Sequence, residues 1–392
     1  MALPPSSPTS GPGIKSLQKI LIAKETTLGT ASAADLQVLR VPGGMLSDDR
    51  QVTMVDEMVG IVNGTDRSYI AAAQGSISVD SSPLTPEQFP YLLAASLGFD
   101  GYSGRTSTTS GELDGVTAYR YTCTMPTTTI LQNSTTAATG RNVGYTFYGG
   151  DSFEVEQMTY GKCTNVSVNG SSSGPISMGG SFMGQYVRYY GSTFPTDVAT
   201  LTAVEDLIFA RARLYLAEPT GPTPSFTAVD STFLGFDVGI DCSWVPKFTG
   251  QGDGSGTVPT WEFALFTNYS VSGSFTLEHN TWTSGTANGL KQKWRDQETL
   301  VMRIDCWGSK NVWDTTGSTL TLAAPFSPGA NQTYSGVRFE FPIKILQISP
   351  LSDNDGNNIV SVSWSARYNS TYGSTGSILV ENGVSELFPA VP

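Results

Sequence analysis

The sequence predicts a mainly β protein built as two tandem modules, each with one short flanking helix, and three observations carry that expectation. Only 14% of the 392 residues are charged, against about 25% in an ordinary soluble domain, and helix surfaces draw on Lys, Glu and Arg. Gly, Ser and Thr are abundant and aromatics reach 10%, a composition that suits short strands and turns. Finally, Gly75-Ser-Ile-Ser-Val-Asp80 returns about half a chain later as Gly273-Ser-Phe-Thr-Leu-Glu278, with the same order of small, apolar, hydroxyl and acidic positions. A repeat of that period marks a duplicated unit, and a single core rarely grows beyond roughly 250 residues. The expected boundaries are a flexible arm over 1–18, a first module over 19–195 and a second over 196–392.

In chain order, Leu17 to Ala23 reads as a strand running into the turn Lys24-Glu-Thr-Thr-Leu-Gly-Thr30, and Leu36 to Val41 as a second strand stopped by Pro42-Gly-Gly44. Ser47 to Asp66 mixes Asp48, Asp49, Arg50, Asp56 and Glu57 with Val52, Met54, Val55, Met58, Val59 and Ile61. That pattern fits an extended arm or a long hairpin that packs on something else. Thr85-Pro-Glu-Gln88 opens a helix that runs on through Phe89 to Leu97, with Thr85 as N-cap, Pro86 at the first helical position and Gly98 as stop. Its counterpart is Ala287 to Asp296. Strands are expected at Ala118–Thr124, Ser152–Glu156, Ala210–Leu216 and Val301–Cys306, and loops in the Gly-Ser-Thr tracts at 103–115, 134–144 and 250–258. Further matches between the halves pair the strands around Cys123 and Cys306, Cys163–Ser167 with Ile345–Ser349, Ile176–Phe182 with Ile359–Trp364, and Ile20–Ala23 with Leu214–Ala217.

Chemical motifs are sparse. His279 is the one histidine, so triads and multi-His metal sites lack their imidazoles, and a structural His at a strand end is expected. Gly170-Ser-Ser-Ser-Gly174 has the letters of a nucleophile elbow, which needs a strand before and a helix after; here both flanks read as strands, so it is a hairpin loop. Asp353-Asn-Asp-Gly-Asn-Asn358 starts like a calcium loop, yet its twelfth position is Trp364 where a bidentate Glu is required, and a hairpin turn is expected instead. Gly250 to Gly256 is followed by no Lys-Ser or Lys-Thr and is not a phosphate loop. Cys123, Cys163, Cys242 and Cys306 are too dispersed for zinc or a disulfide scaffold and read as reduced, buried thiols. No cofactor, metal or catalytic residue is expected. The Asn-x-Ser/Thr sequons follow from composition, and the aromatics between Tyr145 and Phe266 read as core or interface, with a sugar platform as the alternative.

The net charge of −12 opposes phosphate binding, which disfavours a DNA-gripping role and is compatible with a wall that DNA slides past. No apolar run reaches the ~18 residues of a membrane helix. The first thirteen residues lack the basic and apolar regions of a signal peptide.

The opening Ile20-Leu-Ile-Ala-Lys-Glu-Thr-Thr-Leu-Gly-Thr-Ala31, the polar arm, Gly75–Val79, the helix ending at Leu97-Gly98 and the strand pair between Thr146 and Gly184 together resemble the tail tube proteins of long, non-contractile-tailed phages (siphophages). The resemblance covers roughly residues 19–190, and the second half through the repeat. It implies a β-sandwich or open-barrel module whose inner strands join those of neighbours into a barrel around a DNA channel. It implies a major tail tube subunit that polymerises into stacked rings in the virion tail, assembled in the host cytoplasm. Residues 43–66 match the arm that bridges rings (Ser47, Asp48, Asp49, Val52, Met54, Val55, Met58, Ile61), with 246–262 as a second candidate, and Asp80 and Glu278 are placed toward the lumen. Family rings commonly hold six modules, so a duplicated chain would close as a trimer with pseudo-sixfold symmetry, or as a hexamer if the second half is a decoration. The implied partners are further copies of the chain, the tape measure, tail terminator and distal tail proteins, and viral DNA in transit, with no membrane. The alternative reading is a carbohydrate-binding or adhesin-type β protein of a virion or cell surface.

Overall fold

The computed structural model describes residues 17–41, 45–57, 67–97, 106–107, 119–126, 144–151, 153–172, 174–198, 204–229, 232–248, 259–286, 289–311 and 334–384. The chain is mainly β, as expected. In order it forms β1 (Lys19–Lys24), β2 (Gln37–Leu39), β3 (Ser47–Met54), β4 (Ser68–Pro83), helix α1 (Phe89–Leu97), β5 (Thr106–Ser107), β6 (Tyr119–Thr124), β7 (Tyr145–Gly150), β8 (Val155–Ser171), β9 (Ser177–Gly184) and β10 (Val187–Gly191). After a 3-10 turn at Phe209–Arg211 come β11 (Ala212–Ala217), β12 (Thr227–Ala228), β13 (Phe233–Lys247), β14 (Phe263–Glu278) and helix α2 (Leu290–Arg295). The chain then continues through β15 (Thr299–Asn311), β16 (Tyr334–Ile348), β17 (Ser352–Asn354), β18 (Asn357–Ala366) and β19 (Ser377–Asn382).

Among the described residues the pairings of the named strands are antiparallel, and one set of them occurs twice. In the first half β1 pairs β2 and β7, β7 pairs β8, β8 pairs β9 and β10, and β4 pairs β9 and β3. In the second, β11 pairs β12 and β15, β15 pairs β16, β16 pairs β18 and β19, and β14 pairs β18 and β13. Even an irregularity repeats: the β8–β9 ladder slips at Cys163/Asn165 and the β16–β18 ladder at Ile345/Gln347, on the segments that the sequence aligns. The match between Cys123 and Cys306 does not survive. Cys306 sits on β15, whose pairing counterpart is β7, whereas Cys123 lies on β6, which pairs the chain's last strand through Cys123↔Ile378. Local sequence sees alternation but not the partner, and a lone Cys in a strand is a cheap coincidence.

The halves share one hydrophobic core containing Phe147, Phe182, Phe236, Phe275, Phe339 and Trp364. Helix α1, apolar on every side, is buried at all nine positions, as a helix without a polar face must be. Its start differs from expectation: the helix begins at Phe89, and the Thr85 carbonyl, rather than its hydroxyl, accepts from the amides of Gln88 and Phe89. The Thr85 hydroxyl is buried without a hydrogen-bond partner among the described residues. In the second half the helix is shorter than Ala287–Asp296 and capped at Gly289, and its Lys and Arg keep it at the surface. The strand expected at Ser152–Glu156 begins only at Val155, because Asp151 caps a turn by accepting from the Phe153 and Glu154 amides.

Gly273 of the repeat is fixed by packing. It lies directly opposite Trp364 and Val238, and a Cβ there would come within 2.0 Å of the Asp237 carbonyl oxygen and 2.8 Å of the Trp364 ring. At Gly75 the nearest obstacle is the flexible Met158 side chain. Gly273→Ala is therefore expected to destabilise at the upper end of the ~1–3 kcal/mol overpacking range, and Gly75→Ala at the lower end. Urea unfolding of the two variants checks the order.

Candidate functional site: a polar sheet face and the seam beneath it

Eight strands run in the hydrogen-bonded order β3, β4, β9, β8, β13, β14, β18, β16. Side chains alternate across a sheet, so its two faces can be read row by row. One face is apolar and buried, with Met178, Val168 and Val238 in register and Val166, Ile240 and Val271 in the next such row.

The other face is hydroxyl, amide and carboxylate. One row runs Ser78, Ser181, Asn165, Asp241, Ser270; the next Gly179, Ser167, Gly239, Ser272, Ser365; a third Ser177, Asn169, Asp237, Ser274, Ser363, Gln347; a fourth Ser171, Gly235, Thr276, Ser361. None of these positions is Lys or Arg, but the second row continues from Ser365 to Lys344 of β16, which puts one cation on this face. Apart from Gly179 and Ser365 they are exposed or half-exposed. The acids are tied down: the Asn165 amide donates to Asp241 at 2.6 Å and the Ser274 hydroxyl donates to Asp237. Lys344 stands at the margin and donates to the Gln297 carbonyl.

Of the two acids singled out by sequence, Glu278 ends β14 on this polar face, opposite Ile359. Asp80 lies in β4 where the ladder slips between Val79 and Ser82, and its side chain falls outside the described residues. Asp237 and Asp241, nearer the centre, were missed. Their signal was present in Phe236-Asp-Val-Gly-Ile-Asp-Cys242, where period-two alternation puts both acids on one face. The arm residues Ser47, Asp48, Asp49, Val52 and Met54 form β3 of a long hairpin with β4, and Val55 extends it by donating to Arg67. Met58 and Ile61 lie outside the described residues. The Gly170–Gly174 segment is the β8–β9 hairpin, Asp355 and Gly356 make the β17–β18 turn at positive φ, and His279 meets the Thr283 hydroxyl at 2.7 Å just beyond β14. Among the aromatics considered for a sugar platform, Tyr145, Phe147, Tyr148, Trp261 and Phe266 are buried, while Tyr189 and Tyr190 are exposed.

The polar face crosses the boundary between halves at β8–β13, from Asn165↔Asp241 to Ser171↔Gly235. Beside this seam Trp244 of β13 is buried against the first half: its indole N–H donates to the Ser96 carbonyl at the end of α1 at 3.0 Å, and the Lys162 ammonium lies 4.7 Å from its ring centre. Trp261 docks likewise, donating to the Gly184 carbonyl at 3.1 Å and stacking edge-on with Tyr160. Under these indoles lies a buried acid and base. The Glu25 carboxylate accepts from the amides of Tyr160 (2.7 Å) and Gly29 (2.8 Å) and from the Thr146 hydroxyl (3.0 Å). Burial nevertheless raises it to about 7, and burial lowers Lys162 to about 7, each charge partly relieved by the other. The four cysteines are buried and none is in a disulfide among the described residues, with Cys163 pushed up to about 12 by burial.

No protein-family model matches the chain, and no curated protein matches it. Among solved structures it is similar to the SPP1 tail tube determined by solid-state NMR and cryo EM, at 12% identity over 47% of this chain and 83% of that one, with a TM-score of 0.25.

Proposed function

We propose that this chain is the major structural subunit of a virion tail tube, an internally duplicated, non-enzymatic protein whose modules over 19–195 and 196–392 supply successive segments of a barrel wall around a channel for viral DNA. The observation that carries the reading is the eight-strand sheet, apolar and buried on one side and lined on the other by Ser, Thr, Asn, Asp and Gly, with Lys344 as a cation at its β16 margin. A wall of that chemistry offers phosphates few cations to pair with and hence little hold on passing DNA. The recurrence of the same pairings in both halves supports the duplication, and the sequence resemblance of residues 19–190 supports the family. Three chains then supply six modules per ring, with the tape measure, terminator and distal tail proteins at the ends of the stack.

Electron microscopy of the purified chain tests this: rings or tubes with a central pore are expected, threefold in chains and nearly sixfold in outline, and a persistent compact monomer would overturn it. Carrying both Asp237→Lys and Asp241→Lys, the same assemblies should retain duplex DNA at low salt and release it as salt rises, where the native wall retains little.

A further inference from the structure

We infer that copies of this chain join head to tail by strand addition, the outer edge of β3 in one copy pairing antiparallel with residues 345–353 of the next, in the register that β13 and β8 use within the chain. This deepens the tube reading and rests on it only for what the pairing builds.

The chain contains one finished example of the junction and both halves of an unfinished one. The finished example is β8–β13, which carries the polar face from one set of pairings into the other. The counterpart of β8 is β16 with β17, and the matching ladder slips put Gln347 in the place of Asn165. The counterpart of β13 is β3. Aligning Gly75 with Gly273 equates their cross-strand partners, Asp48 and Val238, and therefore Gln51 with Asp241. Among the described residues β3 pairs only β4, and residues 345–354 pair only β18. Each edge lacks what the other supplies.

Side chains on both edges fit the same junction. In β13 the buried Cys242 and Trp244, 3% and 5% exposed, pack on the first half; Val52 and Met54 stand at their places in β3, 55% and 70% exposed. Across the gap the receiving edge presents the exposed Leu346, whose carbonyl accepts from the Trp294 indole, while the exposed Leu351 stands at the place of Asn169 on the polar face. Gln51 and Gln347, both exposed, fall where Asp241 and Asn165 hydrogen-bond within the chain, and two primary amides can pair there as donor and acceptor. Pro350, at the place of Val168, removes one ladder hydrogen bond, a device that keeps an open edge from accepting arbitrary strands. A contact between two different patches propagates as a ring or a filament, not as an isolated dimer.

The test is a cysteine pair, Gln51→Cys with Gln347→Cys, in the full chain. Directly opposed positions bring Cβ atoms to about 4.5–5.5 Å, and the buried native thiols give little background. Mild oxidation is expected to give a ladder of covalent oligomers that collapses on reduction, ending at the number of chains per ring. Mixing the two single variants should give one crosslinked dimer, while neither alone should crosslink. Self-linking of Gln51→Cys alone would overturn the inference in favour of a two-fold contact, and porous rings without crosslinks would place assembly on other edges. Crosslinked ladders without a pore leave the pairing standing and remove the tube, whereas a monomer that never crosslinks removes both.

Discussion

Lys162→Met is expected to cost about 3–5 kcal/mol of stability near pH 9 and clearly less near pH 5, because removing one partner leaves the other charge buried alone. Glu25 is raised, so between its unfolded value and about 7 the folded chain binds the extra proton, and its contribution to stability is lost as pH rises through that window. Lys162 is lowered, so between about 7 and its unfolded value the unfolded chain binds the extra proton, and stability rises with pH there. In the native protein the second change offsets the first above neutrality. With Met at 162 only the Glu25 change remains, and the deficit must widen with pH. Thermal unfolding midpoints of both proteins at the two pH values decide it. A deficit independent of pH would mean that Lys162 acts only by packing its stem and ammonium on Tyr160 and Trp244.

That pair shows where the sequence stops being readable. Glu25 follows a strand end in a polar turn and Lys162 sits in a long strand, and by type both belong to the surface. They meet because β1 and β8 both flank β7, a long-range pairing with no local signature. What was legible was local and periodic: the alternation of Gly75–Asp80 and Gly273–Glu278, which lie in β4 and β14 as expected, and the turn at Asp353–Asn358. The polar face was half legible, since Glu278 was placed on an acidic wall while the central Asp237 and Asp241 went unnoticed. Thr85 misled in the opposite direction. Its string is that of a cap, yet α1 is buried on all sides and the backbone closes the first turn in place of the hydroxyl.

Trp244→Ala is expected to cost about 3–5 kcal/mol, as large aromatic truncations in a closed core do, and to loosen the seam on which both halves of the polar face depend. The indole does three things at once. It donates to the Ser96 carbonyl at the end of α1, packs edge-on against Phe266 with ring centres 5.0 Å apart, and covers the Lys162 ammonium. Removing it strands a buried carbonyl and opens the low-dielectric roof over the Glu25–Lys162 pair. Trp244→Phe separates these roles: it keeps most of the packing and loses the hydrogen bond, and should cost about 1–3 kcal/mol, the penalty of one unsatisfied buried group. Because Trp244 and Lys162 touch, the double variant Trp244→Ala with Lys162→Met should fall short of the sum of the single losses by about 0.5–3 kcal/mol. Additive losses in denaturant unfolding would show that the indole and the ammonium stabilise the seam independently. A coupled loss instead makes the buried charge and the strand junction one device, since the side chain that joins the halves is also the one that keeps water from the pair.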